Sequence, residues 1–171
     1  LEAPTLFQVA RLVGQTLKDV IQSNAMSGQS ADSGFNATIV LGGQIATSEP
    51  RLFLIYPEGN FIEASDDTPF FQIGETKYGR PILVRAYEPE MTFEDAVKLL
   101  MVSFDSTMKA NLSVGLPLDV QTYERDLLSR GYERRFEATD PYYQAISSGW
   151  GESLKRAVAA LPNYTFRPLS R

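Results

Sequence analysis

Apolar residues recur every three or four positions in three parts of the chain, which predicts three long helices. The first stripe runs from Leu6 to Ile21, the second from Phe93 to Met108, and the third along residues 141–161. Each stripe follows a residue whose side chain is suited to accept backbone N–H bonds at a helix start: Thr5, Thr92 and Asp140.

Shorter runs rich in β-branched and aromatic residues lie between the first two stripes. They predict strands at residues 37–41, 51–56, 60–64 and 70–73. The turn residues Pro57-Glu58-Gly59-Asn60 join the second and third runs as a hairpin, and Gly74 allows a sharp exit into a short helix that begins near Pro81. The first strand, which is mostly apolar, is expected to be covered on both faces and to end or bend at Gly42-Gly43.

Later in the chain, alternating residues predict a strand at 118–123, and a further strand is possible at 132–136. The order is therefore a helix, three or four antiparallel strands, two helices, one or two strands and a helix. Hairpin-joined strands beside paired helices favour an α+β fold over a doubly wound parallel sheet, in which strand and helix alternate throughout.

The length of 171 residues and the hydrophobic content of 43% are sufficient for one hydrophobic core. We therefore expect residues 1–171 to form a single domain. Residues 22–35 are rich in Ser, Gly, Asn and Gln and lack apolar periodicity, so they predict a flexible loop rather than a linker between domains.

The chain contains no histidine and no cysteine. A Ser-His triad, a thiol nucleophile and a metal site built on imidazole or thiolate are thereby excluded from these residues. If the protein is a hydrolase, its proton shuttle must be an amine, a lysine or a carboxylate pair. Gly42-Gly43 is followed by neither a dinucleotide fingerprint nor a P-loop lysine, so we predict no cofactor and no metal.

The formal net charge is −5, which argues against binding to a nucleic-acid backbone. The pair Arg134-Arg135 is flanked by Glu133 and Glu137 and is expected to lie on a solvated face. The longest apolar runs are far shorter than the roughly 20 residues of a membrane span, and no leader is evident, so we predict no membrane contact and a cytoplasmic location.

Four polar residues occupy the last turns of the second long helix: Ser103, Asp105, Ser106 and Thr107. Such side chains compete for backbone hydrogen bonds, so their presence needs a reason. Either they form a polar face that bonds to its own carbonyls, or they line a site together with residues 111–115. The aromatic residues Tyr142, Tyr143, Trp150 and Tyr164 similarly fit either core or an interaction surface.

Several long segments of the chain resemble one known family. They are residues 39–45 (IVLGGQI), 51–61 (RLFLIYPEGNF), 72–83 (QIGETKYGRPIL), 103–108 (SFDSTM) and 111–115 (NLSVG). The chain resembles the proteasome-like N-terminal-nucleophile hydrolases over nearly its whole length. Within them it is most similar to the bacterial ancestral-beta-subunit family, Anbu.

This resemblance implies a four-layer αββα sandwich and a ring-like or helical homo-oligomer. It also implies hydrolysis of peptide or amide bonds by an N-terminal threonine whose free amine is the general base. The nucleophile and the N-terminal strands are then expected upstream of Leu1. On this hypothesis the chain is the larger C-terminal part of a subunit, contains no catalytic residue itself and is not an enzyme alone.

The resemblance also suggests which residues support the nucleophile: Glu75, Thr76, Asn111, Ser113 and Gly115. Proteasome subunits carry a serine after the glycine that matches Gly74, whereas this chain has Glu75. When their Asp-x-x-Ser-Gly run is aligned without a gap, Asn111 falls at the Asp, Val114 at the Ser and Gly115 at the Gly. A shift of one residue places Ser113 at the Ser, but Asn111 then no longer falls at the Asp. Because these positions differ, an oligomeric scaffold with little or no turnover is the alternative function, and a stand-alone binding domain is a third.

Overall fold

The structure is a computed structural model that describes residues 4–26 and 36–166. Four helices and five strands are found there: α1 Leu6–Met26, β1 Ile39–Gly43, β2 Arg51–Ile55, β3 Phe61–Glu63, α2 Arg80–Ala86, α3 Phe93–Ala110, β4 Leu118–Gln121, β5 Glu133–Phe136 and α4 Pro141–Ala159. In the described ranges β1–β3 form one antiparallel sheet and β4–β5 form another. Element order and pairing confirm the predicted α+β class. In the same residues no helix is both long and apolar enough to cross a bilayer.

Helix α1 begins as predicted but ends later. The Gln8 backbone N–H donates to Thr5 Oγ1 at 3.2 Å, as expected of the cap. Near the other end, Ser23 Oγ donates to the Asp19 carbonyl at 2.8 Å and Asn24 Nδ2 to the Val20 carbonyl at 2.9 Å. These bonds satisfy the polar side chains within the helix, so the prediction of a loop is wrong for residues 22–26. Residues 27–35 of that predicted loop lie outside the described residues.

One face of the three-stranded sheet packs on α1. Phe53 and Ile55 of β2 are fully buried there, and the rest of this first core comprises Leu6, Ala10 and Leu17. Helix α1 also passes close to the β2–β3 turn, because a Cβ added at Gly14 would lie 2.3 Å from the Gly59 carbonyl oxygen. Gly59 adopts φ 87°, a conformation that glycine accepts without strain.

The opposite face of this sheet is apolar and open in the described part of the chain. Register places Val40 beside Leu54 and Leu54 beside Ile62. Val40 is 37% exposed and Ile62 is 42% exposed. The expectation that the first strand is covered on both faces is therefore wrong in the described residues. Its predicted end at Gly42-Gly43 is confirmed, since β1 pairs with β2 up to Gly43 and stops there.

The predicted strand at residues 70–73 is also wrong, since no strand is found there. Pro69 removes one backbone donor at its start. The Phe70 ring instead contacts the Tyr87 ring just after α2, with centroids 5.9 Å apart. Side-chain packing against the helix region, rather than a ladder of backbone bonds, positions this segment.

The second core lies among α3, α4 and the β4–β5 hairpin. Its buried members are Met101, Leu118, Phe136 and Tyr143. The apolar stripe of α3 was expected to face the core, but this is wrong for Phe93, Leu100 and Phe104, which are 48%, 41% and 43% exposed. Arg134 and Arg135 lie on a solvated face as predicted, where they pair with Asp140 and Asp119.

Candidate functional site

The loop before α2 holds the first part of the candidate site. Gly74 adopts φ 78°, which turns the chain toward the helix. The next side chain folds back on its own backbone, since Glu75 Oε1 accepts a hydrogen bond from the Lys77 backbone N–H at 2.8 Å. Gln72 Nε2 donates to the Glu75 carbonyl at 3.3 Å. Contacts within this loop therefore orient the Glu75 carboxylate without the help of any helix or strand.

The end of α3 brings the second part. Asn111 caps this helix, with its backbone N–H donating to the Thr107 carbonyl at 2.8 Å. Its side-chain Nδ2 donates to Glu75 Oε2 at 2.9 Å, which joins two residues that are 36 positions apart. The bonds from the Lys77 backbone and from Asn111, in that order, hold the pKa of Glu75 below its usual value. The carboxylate therefore stays ionised at neutral pH.

Ser113 extends the network from the other end of the Asn111 amide. Asn111 Oδ1 accepts from the Ser113 backbone N–H at 2.9 Å and from Ser113 Oγ at 2.7 Å. This is an Asx-type turn, which fixes the loop after the helix. An amide oxygen is not a base that could activate the Ser113 hydroxyl as a nucleophile. The hydroxyl is instead a polar group whose direction is fixed by its bond to Asn111.

The other two residues suggested by the resemblance lie beside this network. Thr76 follows Glu75, and its carbonyl accepts from the Arg80 N–H at 3.2 Å at the start of α2. Gly115 is exposed two residues beyond Ser113, and a Cβ placed on it would meet no atom within 4 Å. Hydrogen bonds thus unite Glu75, Asn111 and Ser113, whereas Thr76 is adjacent through the backbone and Gly115 borders open space.

Two further residues contribute to the network and were not predicted from the sequence: Gln72 and Lys77. Gln72 lies within one of the segments that carry the resemblance, but nothing in its pattern indicates that its amide would reach the Glu75 carbonyl. Lys77 contributes its backbone N–H rather than its side chain, so residue type carries no signal for it.

The four polar residues near the end of α3, which we call the polar row, connect this helix to α4. They are Ser103, Asp105, Ser106 and Thr107. Thr107 Oγ1 donates to the Ser103 carbonyl at 2.9 Å, which confirms for this residue that the row bonds to its own helix. On the other side, Tyr143 donates its hydroxyl to Asp105 Oδ1 at 3.0 Å, and Trp150 Nε1 donates to Ser106 Oγ at 3.1 Å. Burial first, then the bond to Asp105, raise the pKa of Tyr143 to about 12. The row therefore joins α3 to α4 and leads to Asn111 one turn later.

Two of the four aromatic residues are confirmed as part of the core, and the interaction surface stays a prediction. Tyr143 is buried and Trp150 is half-buried, so these two belong to the packing of α4 on α3. Tyr142 and Tyr164 are 38% and 80% exposed.

Comparison with known proteins gives consistent similarities. The family model described as proteasome subunit matches residues 8–121. A mutant Anbu from Hyphomicrobium sp. strain MC1 is 45% identical with a TM-score of 0.86, and Anbu from Yersinia bercovieri is 42% identical with a TM-score of 0.87. A helical assembly of the Anbu complex from Pseudomonas aeruginosa is 39% identical with a TM-score of 0.87.

The match with each of these three structures covers 96% of this chain and 68% of the other chain. A search of curated proteins finds no match. The structural similarity confirms the expected fold, which is the α+β sandwich of proteasome-like N-terminal-nucleophile hydrolases.

Proposed function

Because this chain belongs to the Anbu family of proteasome-like subunits, we propose that it is most of one subunit of a self-assembling threonine-type hydrolase. Residues 1–171 are then a single domain and the larger C-terminal part of that subunit. The related chains support this proposal, since this chain spans 68% of their length. The helical assembly of the P. aeruginosa relative supports self-association. The proposed location is the cytoplasm.

The proposed reaction cleaves a peptide or amide bond. The hydroxyl of an N-terminal threonine upstream of Leu1 attacks the carbonyl carbon, its free amine takes the hydroxyl proton, and the same proton then leaves with the departing amine. This chemistry needs no imidazole or thiol, which fits a chain that has neither. Water afterwards releases the acyl group and restores the threonine.

The observation that carries this proposal is the hydrogen-bonded chain Glu75–Asn111–Ser113. An ionised carboxylate near the N-terminal amine would stabilise the positive charge that the amine gains when it takes the hydroxyl proton. The amide of Asn111 keeps that carboxylate and the Ser113 hydroxyl in fixed directions. Thr76 and Gly115 are proposed to shape the same surface, with Gly115 leaving room for a substrate or for the nucleophile.

An electrophile selective for N-terminal threonine tests the enzymatic proposal. The full-length protein is incubated with the reagent and its intact mass is measured. We expect one adduct per subunit on the processed N-terminus, and a threonine-to-alanine variant at that terminus is the matched control. A correctly processed protein that gains no mass would reject the threonine hydrolase.

A catalytically weak scaffold is the second candidate. It is favoured by Glu75, which places a carboxylate where proteasome subunits carry a serine, so the support of the nucleophile differs. Both candidates require self-association, whereas a stand-alone binding domain does not. Light scattering on the full-length protein at micromolar concentration should give a mass of several subunits, and a monomer would contradict both.

A further inference from the structure

Gly79, the buried residue that immediately precedes α2, lies against α3. A Cβ added at Gly79 would lie 2.3 Å from Ser103 Oγ, 2.9 Å from Thr107 Oγ1 and 3.0 Å from the Ser103 carbonyl oxygen. Ser103 and Thr107 are each only 3% exposed. Protein interiors are close-packed, so there is no void into which an added methyl group could move. We call this contact of Gly79 with Ser103 and Thr107 the glycine seat.

Two of these three neighbouring atoms on α3 cannot easily make room. Thr107 Oγ1 is bonded to the Ser103 carbonyl at 2.9 Å, so rotating the hydroxyl away breaks a buried hydrogen bond. The Ser103 carbonyl belongs to the helix backbone and is equally fixed. A side chain at residue 79 would therefore push the backbone at the start of α2 away from α3.

The glycine seat lies close in the chain to both partners of the Glu75–Asn111 bond: Thr107 is one helical turn before Asn111, and Gly79 follows Glu75 by four residues in the loop before α2. On α3, the Asn111 N–H donates to the Thr107 carbonyl at 2.8 Å. On the other side, the Lys77 N–H bonds Glu75 Oε1 at 2.8 Å, and the Arg80 N–H bonds the Thr76 carbonyl at 3.2 Å. These bonds tie the loop of residues 75–79 to the helix start. A displacement of Gly79 is therefore transmitted to Glu75, while Asn111 stays with α3.

We propose that Gly79 is a positioning residue, which sets the distance between Glu75 and Asn111 through its seat on Ser103 and Thr107. The part of this inference that concerns reactivity rests on the proposed function, because the Glu75–Asn111 bond is there proposed to support the N-terminal nucleophile. It also explains two of the four polar residues near the end of α3, because the compact side chains of Ser103 and Thr107 allow the start of α2 to come close.

The test uses the full-length protein with Gly79→Ala. We expect the rate of labelling by the threonine-selective electrophile to fall about tenfold to a hundredfold, the order that a misplacement of about 1 Å costs. A crystal structure of the variant should show the Glu75 Oε2 to Asn111 Nδ2 distance lengthened from 2.9 Å to beyond hydrogen-bond range. Adding Ser103→Ala removes the closest of the three contacts and should restore part of the rate and shorten that distance.

Gly149→Ala is the matched control, since a Cβ at Gly149 meets nothing within 4 Å, and it should be labelled like the wild type. Wild-type labelling of Gly79→Ala together with an unchanged bond would overturn the inference. If Gly79→Ala does not fold, Ser103→Thr crowds the seat from α3 and must lengthen the same distance. If even the wild type is not labelled, the enzymatic proposal fails. The distances between Glu75 and Asn111 in the two crystal structures still decide whether Gly79 controls their hydrogen bond.

Discussion

At the scale of single residues, the side-chain amide of Asn111 bonds in two directions. Its Nδ2 donates to Glu75, and its Oδ1 accepts from the backbone and the hydroxyl of Ser113. An aspartate at this position would keep the acceptor but lose the donor. The substitution Asn111→Asp therefore separates the two halves of the network.

Asn111→Asp places a second carboxylate against Glu75, whose own pKa is held below its usual value. We expect lower thermal stability at pH 7, because two adjacent negative charges repel. The repulsion raises the pKa of the carboxylate pair, so the loss is largest at neutral pH and diminishes as the pH falls and one carboxyl binds a proton. Melting temperatures measured from pH 4 to pH 8 would reveal this trend.

The double variant Glu75→Gln/Asn111→Asp is the control for that prediction. It reverses donor and acceptor and removes one charge, so it should recover most of the stability at pH 7. Equal melting temperatures for the wild type and Asn111→Asp across the pH range would show that the bond between the two residues is unimportant.

The sequence indicated three members of this site but not the contact between them. Glu75, Asn111 and Ser113 came from a resemblance between motifs, and Ser113 could also be expected from its position two residues after an asparagine. The bond between Glu75 and Asn111 depends on how α2 and α3 pack, which no local pattern reveals. The roles of Thr76 and Gly115 stay predictions.

At the scale of elements, α3 is held to α4 by polar contacts inside the second core. Tyr143 is 9% exposed and Asp105 is 3% exposed, and their bond is shielded from water. Tyr143→Phe would leave Asp105 without this partner and should lower the free energy of unfolding by about 1 to 3 kcal/mol. Chemical denaturation measures that loss, and Tyr142→Phe, on an exposed ring, is the matched control.

Tyr143→Phe should also change how the free energy of unfolding depends on pH under alkaline conditions. The pKa of Tyr143 is raised to about 12, so the folded state keeps its proton when the unfolded state has lost it. A raised pKa contributes stability below the ordinary tyrosine value of about 10, and this contribution is lost as the pH rises toward 12. The wild type should therefore lose more stability than the variant between these values, and parallel curves would contradict the assignment.

Helices were predicted better than strands because their signals are local. The capping residues Thr92 and Asp140 both accept the expected backbone bonds. Residues 70–73 have strand-like composition, but a strand also needs a partner, and composition contains no information about one. In the same way, the polar composition of residues 22–26 indicated a loop, whereas side-chain bonds to the preceding turn keep Ser23 and Asn24 helical.

At the scale of the whole molecule, the described residues form two cores, one between α1 and the three-stranded sheet and one among α3, α4 and the β4–β5 hairpin. Gln44 joins these halves: its Nε2 donates to Asp126 at 2.6 Å, and its Oε1 accepts from the Tyr123 hydroxyl at 2.9 Å. The candidate site lies on the second half, where α2 meets the end of α3. The α+β class followed from the order of elements, but the separation into two cores did not.

Labelling of the N-terminal threonine tests the central claim most directly, because it reports the one group that the proposed mechanism requires. The full-length, processed protein and its Asn111→Asp variant are exposed to the electrophile under the same conditions, and the mass of each intact subunit is followed with time. The account predicts one adduct per wild-type subunit and slower modification of the variant. A wild-type protein with a free N-terminal threonine that acquires no adduct would contradict it.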